Sequence, residues 1–378
     1  MTSKIEGEKS VIFFDSRIDT NNATEVEAEI KNFVEKNLKL ILEFDAENLE
    51  YISSVGLRIL LKFRKIFKKN LVVKNVSKEV AEVFEMSGFT KFFDVQKKLR
   101  QISVENLKEI GHGTTGTVYK LDDENILKVY NEDWTQEKVK IERENSQQAF
   151  LSGLDTAIAY DVVRVGKNFG IVYEMLNAVT LEKIILENPE RTEFYAKKFA
   201  EFVKKQSEIE FEGVSSKNAR IELSKKISQL DAETHEIIEK ILEKVPESKT
   251  FSHTDLNLSN IVVQDENFLM IDMGEICSGH KIFDIAWIFY MYVIRQRVAK
   301  KPIGPKFMPE IFWKTFSQEY FNTKDEKILQ HFEAELYPHG MIQVLISSLT
   351  RDLPPQIFGH YSKILKEINS RGLHEIDF

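Results

Sequence analysis

FSHTDLNLSNIVV, Phe251–Val263, followed after the turn QDEN by FLMIDMGE, Phe268–Glu275, is the stretch whose reading decides the fold. His253, Asp255 and Asn260 stand in H-x-D-x-x-x-x-N spacing, and Asp272, Met273 and Gly274 follow the second apolar run. Two short strands separated by a turn bring three oxygen-bearing side chains together: Asp255, Asn260 and Asp272. Oxygen ligands suit a hard cation such as Mg²⁺. No His/Cys cluster offers zinc an alternative.

Upstream, EIGHGTTGTVYKL, Glu109–Leu121, carries Gly111, Gly113 and Gly116, with Val118 two residues further on. Such glycines also occur in dinucleotide-binding folds, where they lead from a strand into a helix. Here TVYKL is followed by the turn signal DDEN and by ILKVY, which predicts a β-hairpin. A glycine-rich hairpin is suited to covering phosphates, and Lys128 falls on its second strand, where a cation for the α and β phosphates is needed. An unmatched lysine there would ordinarily be a solvent-exposed strand residue. Helical spacing resumes at Glu137. Glu144 in KVKIERENSQQAFL is the first choice for the carboxylate that positions Lys128, with Glu142, on a different face of the same helix, as the alternative.

Taken together, Glu105–Phe378 resembles the aminoglycoside phosphotransferase and choline kinase type of the kinase-like fold. The resemblance implies ATP and Mg²⁺ as cofactors and a hydroxyl on a small molecule as phosphoryl acceptor. Asp255 would orient that hydroxyl, since a carboxylate is too weak a base to strip it outright and proton transfer comes late in a loose transition state. Asn260 and Asp272 would hold Mg²⁺, Lys128 the phosphates, and backbone groups at Glu174 and Met175, where the strand IVYEML ends, the adenine. His253 is structural, and Asp284 in KIFDIAWIF would brace the loop, or cap its helix. Asn257 stands where protein kinases have lysine, and only nine residues separate Gly274 from Asp284, too few for an activation segment. Helices between Thr180 and Lys249 and beyond Val298 should form the acceptor pocket; Trp287 and Trp313 would line an aromatic cage there or pack in the core.

The first hundred residues alternate strand and helix patterns: VIFF (Val11–Phe14), a helix over Ala23–Val34, LKLILEF (Leu38–Phe44), a helix over Leu57–Phe67, LVVKNV (Leu71–Val76), a helix over Lys78–Met86 capped by Ser77, and FFDV. The continuous pattern through LILEFDAENLEYISS, SVGLRILL and VVKNVSKEVAEVFEMSGF resembles the STAS domain of anti-sigma factor antagonists over Ile5–Val95. In that family the serine matching Ser54 is phosphorylated by a partner kinase, which breaks binding to that partner. The aspartate that usually precedes it is Ser53 here. A phosphate at a helix N-terminus is favoured by free N–H groups and the macrodipole; the plainer role for Ser53 and Ser54 is capping. Arg58, Lys62, Lys65 and Lys69 form a basic stripe on the following helix, either solvated or a docking face.

The expected fold is thus α/β and α+β multidomain, an N-terminal STAS-like α/β sandwich followed by a bilobal protein-kinase-like domain. The expected division is 1–100 as regulatory domain, 101–106 as linker, 107–176 as N-lobe and 177–378 as helical C-lobe. At 378 residues two domains are the natural expectation. The net charge of −8 argues against a nucleic-acid partner, and residues 1–103 carry +2 against −10 for the remainder. One cysteine, Cys277, excludes an intramolecular disulfide and reads as a buried, inert thiol. MTSKIEGEKS lacks a signal-peptide core, and IAWIFYMYVI (Ile285–Ile294) is half a membrane span, so a buried helix and a cytoplasmic location are expected. The leading expectation is an ATP- and Mg²⁺-dependent phosphotransferase coupled to its STAS domain, with a protein partner at the STAS surface. The alternative is an anti-sigma-factor-antagonist-like signalling protein whose kinase-like part senses nucleotide or phosphorylates Ser54.

Overall fold

The computed structural model describes residues 1–37, 40–67, 71–296, 307–351 and 353–371. They divide into two compact units, Met1–Ile102 and Ser103–Phe378.

In the first unit the strands Thr2–Glu6, Lys9–Phe13, Ile41–Asp45, Leu71–Val76 and Phe93–Lys97 lie side by side in that order. The first pair is antiparallel and the rest are parallel. Ala23–Lys36, Ser54–Phe67 and Lys78–Met86 are the helices. The first buries Ala23, Val26, Ile30 and Val34, the 3.6-period face visible in the sequence. Ser77 caps the third, accepting from the Val80 N–H at 3.3 Å. The strand expected over Leu38–Phe44 begins at Ile41, and Leu38 lies outside the described residues, as does Lys69 of the basic stripe. Of that stripe, Lys62 is held by Glu27 at 2.8 Å. Thr2–Glu6 was not expected, because an edge strand of mixed polarity carries little periodic signal.

In the second unit Ala159–Val165, Asn168–Glu174, Asn125–Tyr130, Gly116–Lys120 and Lys108–His112 form an antiparallel sheet in that order. The helix Gln136–Leu151 packs on it through Val139, Glu142, Ser146 and Ala149. From Leu181 onward the unit is mainly helical. Thr192–Gln206 packs on Pro309–Tyr320 through Phe199, Phe312 and Phe316. Trp313 sits in the same core, donating to Glu333 at 2.6 Å, so it serves packing rather than a cage. Ile282–Phe289 continues as a π-helical turn, Tyr290–Ile294, and the segment is buried from Phe283 to Ile294 except at the half-buried Met291. Among the described residues no helix is long and apolar enough to cross a membrane.

The long helix Glu326–Ser347 crosses this buried segment at Gly340, where a Cβ would meet the Ala286 carbonyl at 2.9 Å. Beside it His339 is sealed edge-on against Phe283, its Nδ1 without a partner among the described residues. Burial, with the positive charges of Arg220 and His280, pushes its pKa down from 6.5 to about 3. The folded chain therefore refuses a proton that the unfolded chain takes up below pH 6.5, so stability falls as pH drops from there toward 3. Denaturant melts across that window should show this slope, and His339→Gln should reduce it by nearly one proton; an unchanged slope would remove His339 from the account.

Candidate active site

The cleft of the second unit is built from residues far apart in sequence. Lys128, on the strand Asn125–Tyr130, lies between two carboxylates, 2.8 Å from Glu142 Oε1 and 2.8 Å from Asp272 Oδ1. Burial alone would lower its pKa, but Glu142 and Asp272 outweigh it, so the ammonium is held above its ordinary value and stays charged. Tyr173 donates to the same Glu142 oxygen at 3.2 Å. The first choice from sequence, Glu144, is corrected: it is exposed and lies near Lys140 at i,i−4. Glu142 shares the inward face with Val139 and Ser146, whereas a residue two positions on is turned about 200° round the helix.

Gly274 packs against this cluster. A Cβ there would meet Glu142 Oε2 at 2.9 Å, and its carbonyl accepts from Asn145 Nδ2 at 3.1 Å. Asp272 itself has φ +67°, an uncommon conformation for a residue other than glycine. Burial would raise its pKa, but Lys128 outweighs it, helped by His253 and Arg351, and the carboxyl is held below its ordinary value.

Of the hairpin glycines, Gly116 is the one the fold requires, since a Cβ would strike the Val129 carbonyl. Gly111 and Gly113 would meet only ordinary contacts, and Gly113 N–H donates across the tip to Gly116 O at 2.9 Å. Val118 pairs with Lys128 across the hairpin. At the strand end the amides are already engaged: Glu174 N–H donates to Ile158 O at 3.0 Å and Met175 N–H to Glu124 O at 2.6 Å. Neither amide is free, so backbone contact with an adenine here would fall to the carbonyls.

Asp255 sits in a ring of donors. Its Oδ1 accepts from Trp287 Nε1 at 2.9 Å and from Asn257 Nδ2 at 3.3 Å, and its Oδ2 from Asn260 Nδ2 at 3.3 Å. Both amides also bond its main-chain carbonyl. Asn257 closes a turn through Ser259 N–H, so the residue that replaces the protein-kinase lysine shapes the loop. The loop is anchored below by Asp284, whose two oxygens accept from the buried N–H groups of His253 and Thr254 at 2.8 and 2.7 Å. Asp284 lies within its helix rather than at the N-cap, which is Lys281. His253 Nε2 meets the Ile271 carbonyl at 3.1 Å, tying the loop to the strand before Asp272. Tyr292 accepts from Leu258 N–H at 2.7 Å.

Trp287 is the residue sequence reading missed in this role, since cage and core were the two places open to it. A signal was present: Asp284 and Trp287 are i,i+3 and share a helix face, so whatever Asp284 touches, Trp287 can reach. Cys277 is half-buried rather than buried, and burial pushes its thiol up to about 11, which keeps it inert.

In the first unit the two serines divide their work. Ser53 Oγ accepts from Gly56 N–H at 3.3 Å and caps the helix, while Ser54 is the first helical residue and is exposed. Gly56 lets the helix dock closely, since a Cβ would meet Ile18 and Ile52 side chains at 2.8 Å.

A glycine hairpin over a buried lysine–glutamate pair, with an Asp/Asn loop and a second aspartate opposite, defines a kinase-like phosphotransferase. Residues 106–301 match the Phosphotransferase enzyme family, APH, and residues 2–102 match the STAS domain. The chain belongs to that phosphotransferase family and carries an N-terminal STAS domain; it is an ATP-dependent kinase acting on a hydroxyl group. Over 81 residues it is 37% identical to the BtrV protein of Bordetella bronchiseptica, which carries the name of an anti-sigma factor antagonist, covering 21% of this chain and 69% of that one. Among solved structures, an ethanolamine kinase of Plasmodium vivax is 15% identical at TM-score 0.48, covering 94% of this chain and 97% of that one. The gentamicin complex of APH(2″)-IIa is 17% identical at TM-score 0.46, covering 76% and 96%. A choline/ethanolamine kinase family protein of Mesorhizobium loti is 13% identical at 0.44, covering 71% and 90%.

Proposed function

We propose that the second unit transfers the γ-phosphoryl group of ATP to a hydroxyl of a small molecule, and that the STAS domain regulates this transfer. In this reading 107–176 is the N-lobe, 177–378 the C-lobe, and 101–106 the linker to the regulatory domain. The observation that carries it is Asp255, held in a ring of donors and opening onto a cavity of about 630 Å³. Asp255 orients the acceptor hydroxyl and takes its proton late; Lys128, fixed by Glu142, holds the α and β phosphates under the hairpin of Gly111, Gly113 and Gly116. The residues fit Mg²⁺: Asn260 gives its Nδ2 to Asp255, which turns its amide oxygen elsewhere, and Asp272 has one oxygen not taken by Lys128. One carboxylate and one amide suit an ion that keeps waters and phosphate oxygens as its other ligands. When bound, Mg²⁺ neutralises charge building on the phosphates.

A second reading is favoured by the exposed Ser54 hydroxyl: phosphorylation there is the regulatory mark, written by this chain or by another kinase. Its added charge of about −1.5 to −2 would reverse the local sign of a basic surface. Intact-mass and peptide mass spectrometry after incubation with Mg²⁺-ATP tests both readings. Phosphate on Ser54 in the parent, but not in Asp255→Asn, makes the chain its own writer and counts against the metabolite reading. Unmodified Ser54 in a chain that binds ATP is the expected result and directs the kinase to an outside acceptor.

A further inference from the structure

The acceptor cavity departs in chemistry from the acidic lobe around it. The carboxylate of Asp255 and the indole of Trp287 form its floor, and helices and loops from both lobes its walls. Three large apolar side chains stand unusually exposed around it: Ile141 at 45%, Val214 at 69% and Leu349 at 39%. Phe211, Leu223 and Ile276 continue the apolar surface inward. Exposed hydrophobic side chains scattered singly need no explanation, but a group converging on one concave site marks a binding surface.

The polar side chains of the wall are largely committed to the protein. Asn145 donates to Gly274 O, Gln148 to Glu212 O, and Gln343 to Thr254 O. The hydroxyls of Thr254, Ser347 and Thr350 donate to the carbonyls of Glu275, Val344 and Ser347. Arg220 is buried, stacked over Phe283 at 4.1 Å and donating to Ser216 O. Besides Asp255 and the buried Arg220, the charged groups of the wall are Glu275 and Arg351, which attract each other. A ligand bearing many amines and hydroxyls would lose its water there with few groups to replace it, and each buried group left unpaired would weaken binding.

We propose that the phosphoryl acceptor is an alcohol on a predominantly apolar body carrying at most one charged group, rather than a polycationic sugar or a small quaternary amine. This rests on the phosphotransferase reading of the same cleft. A body of that kind covers Ile141, Val214 and Leu349, presents its hydroxyl to Asp255, and pairs a single ionic group, if it has one, with Arg351 or Glu275. The volume of about 630 Å³ lies within the range of roughly 300–1,000 Å³ that holds molecules of drug size.

The test uses the full chain and the fluorescent probe 1-anilinonaphthalene-8-sulfonate, an apolar body with one anionic group, in saturating Mg²⁺-ADP so that the nucleotide site is filled. We expect one saturable site, displaced by geraniol and not by millimolar kanamycin or choline, and weakened about tenfold or more by Val214→Asp. Val214 is exposed, so this substitution leaves folding intact, and Leu349→Asp provides a second, independent variant. Absence of saturable emission, displacement by kanamycin or choline in preference to geraniol, or indifference to both substitutions would overturn the proposal. Thermal stabilisation by Mg²⁺-ADP, measured alongside, separates the two failures: its absence counts against the phosphotransferase reading, whereas its presence with a failed probe titration counts against the apolar acceptor alone.

Discussion

Asp255→Asn is expected to lower phosphoryl transfer by about 10²–10⁴-fold, the range in which a positioned acid–base group contributes, while Mg²⁺-ADP affinity changes by less than about twofold. The carboxylate accepts from three donors, Trp287 Nε1, Asn257 Nδ2 and Asn260 Nδ2. An amide at this position can accept on one side only and must aim its own NH₂ at a donor on the other. It can neither take the proton nor keep the orientation. Initial rates against ATP and acceptor, with ADP affinity by calorimetry, decide the matter, and an Asp255→Asn chain retaining more than about a tenth of the parent rate would remove Asp255 from the chemistry. Trp287 stacks on Tyr290, 7° from parallel; Trp287→Phe keeps an aromatic ring there but removes the N–H together with part of the buried ring. Its effect on kcat should be smaller than that of Asp255→Asn, with a change in the acceptor KM beside it because the indole floors the acceptor cavity, and the ATP KM unchanged.

Asp284→Ala is expected to cost about 3–5 kcal/mol of stability, the scale of breaking a buried charged hydrogen-bond network, and to abolish activity. Both its oxygens serve buried main-chain N–H groups, those of His253 and Thr254. Thr254 already holds φ +68°, so the loop has little freedom to turn those groups toward water. Asp284→Asn retains one acceptor and should cost roughly half as much. The pH dependence separates the two terms. Burial raises the Asp284 pKa above its ordinary 3.8 despite His253 and the two N–H donors. The folded state therefore holds the proton more tightly than the unfolded state, and this contribution is full below pH 3.8 and lost as pH rises through the raised value. Denaturant midpoints of the parent should fall across that interval relative to Asp284→Asn; parallel curves would show that burial of the charge is not what the loop works against.

Much of the site was legible because its signals are local. The spacing of His253, Asp255 and Asn260, and the helix capped by Ser77, depend on residues within a turn or two of each other, and the structure keeps them in register. The partner of Lys128 was not, because choosing between Glu142 and Glu144 requires knowing which helix face meets the sheet. That is decided by Val139, Ser146 and Ala149 only once the sheet exists. The engaged amides at Glu174 and Met175 depend on Ile158 and Glu124 on other segments, which no spacing along IVYEML could show. The apolar acceptor wall was hidden for the same reason. Phe211, Ile276 and Leu349 are separated by tens of residues, and each reads as ordinary core in its own segment.

The division of labour between Ser53 and Ser54 reaches beyond the first turn of its helix. Among the described residues Ser53 is the side chain that caps that turn and the neighbouring hydroxyl is exposed with no such duty, so a group added to it is expected to leave the fold as it was. If Ser54 is modified as proposed, the position would work like an erasable label: it would change what a neighbour reads on the surface without the domain having to unfold and refold between messages.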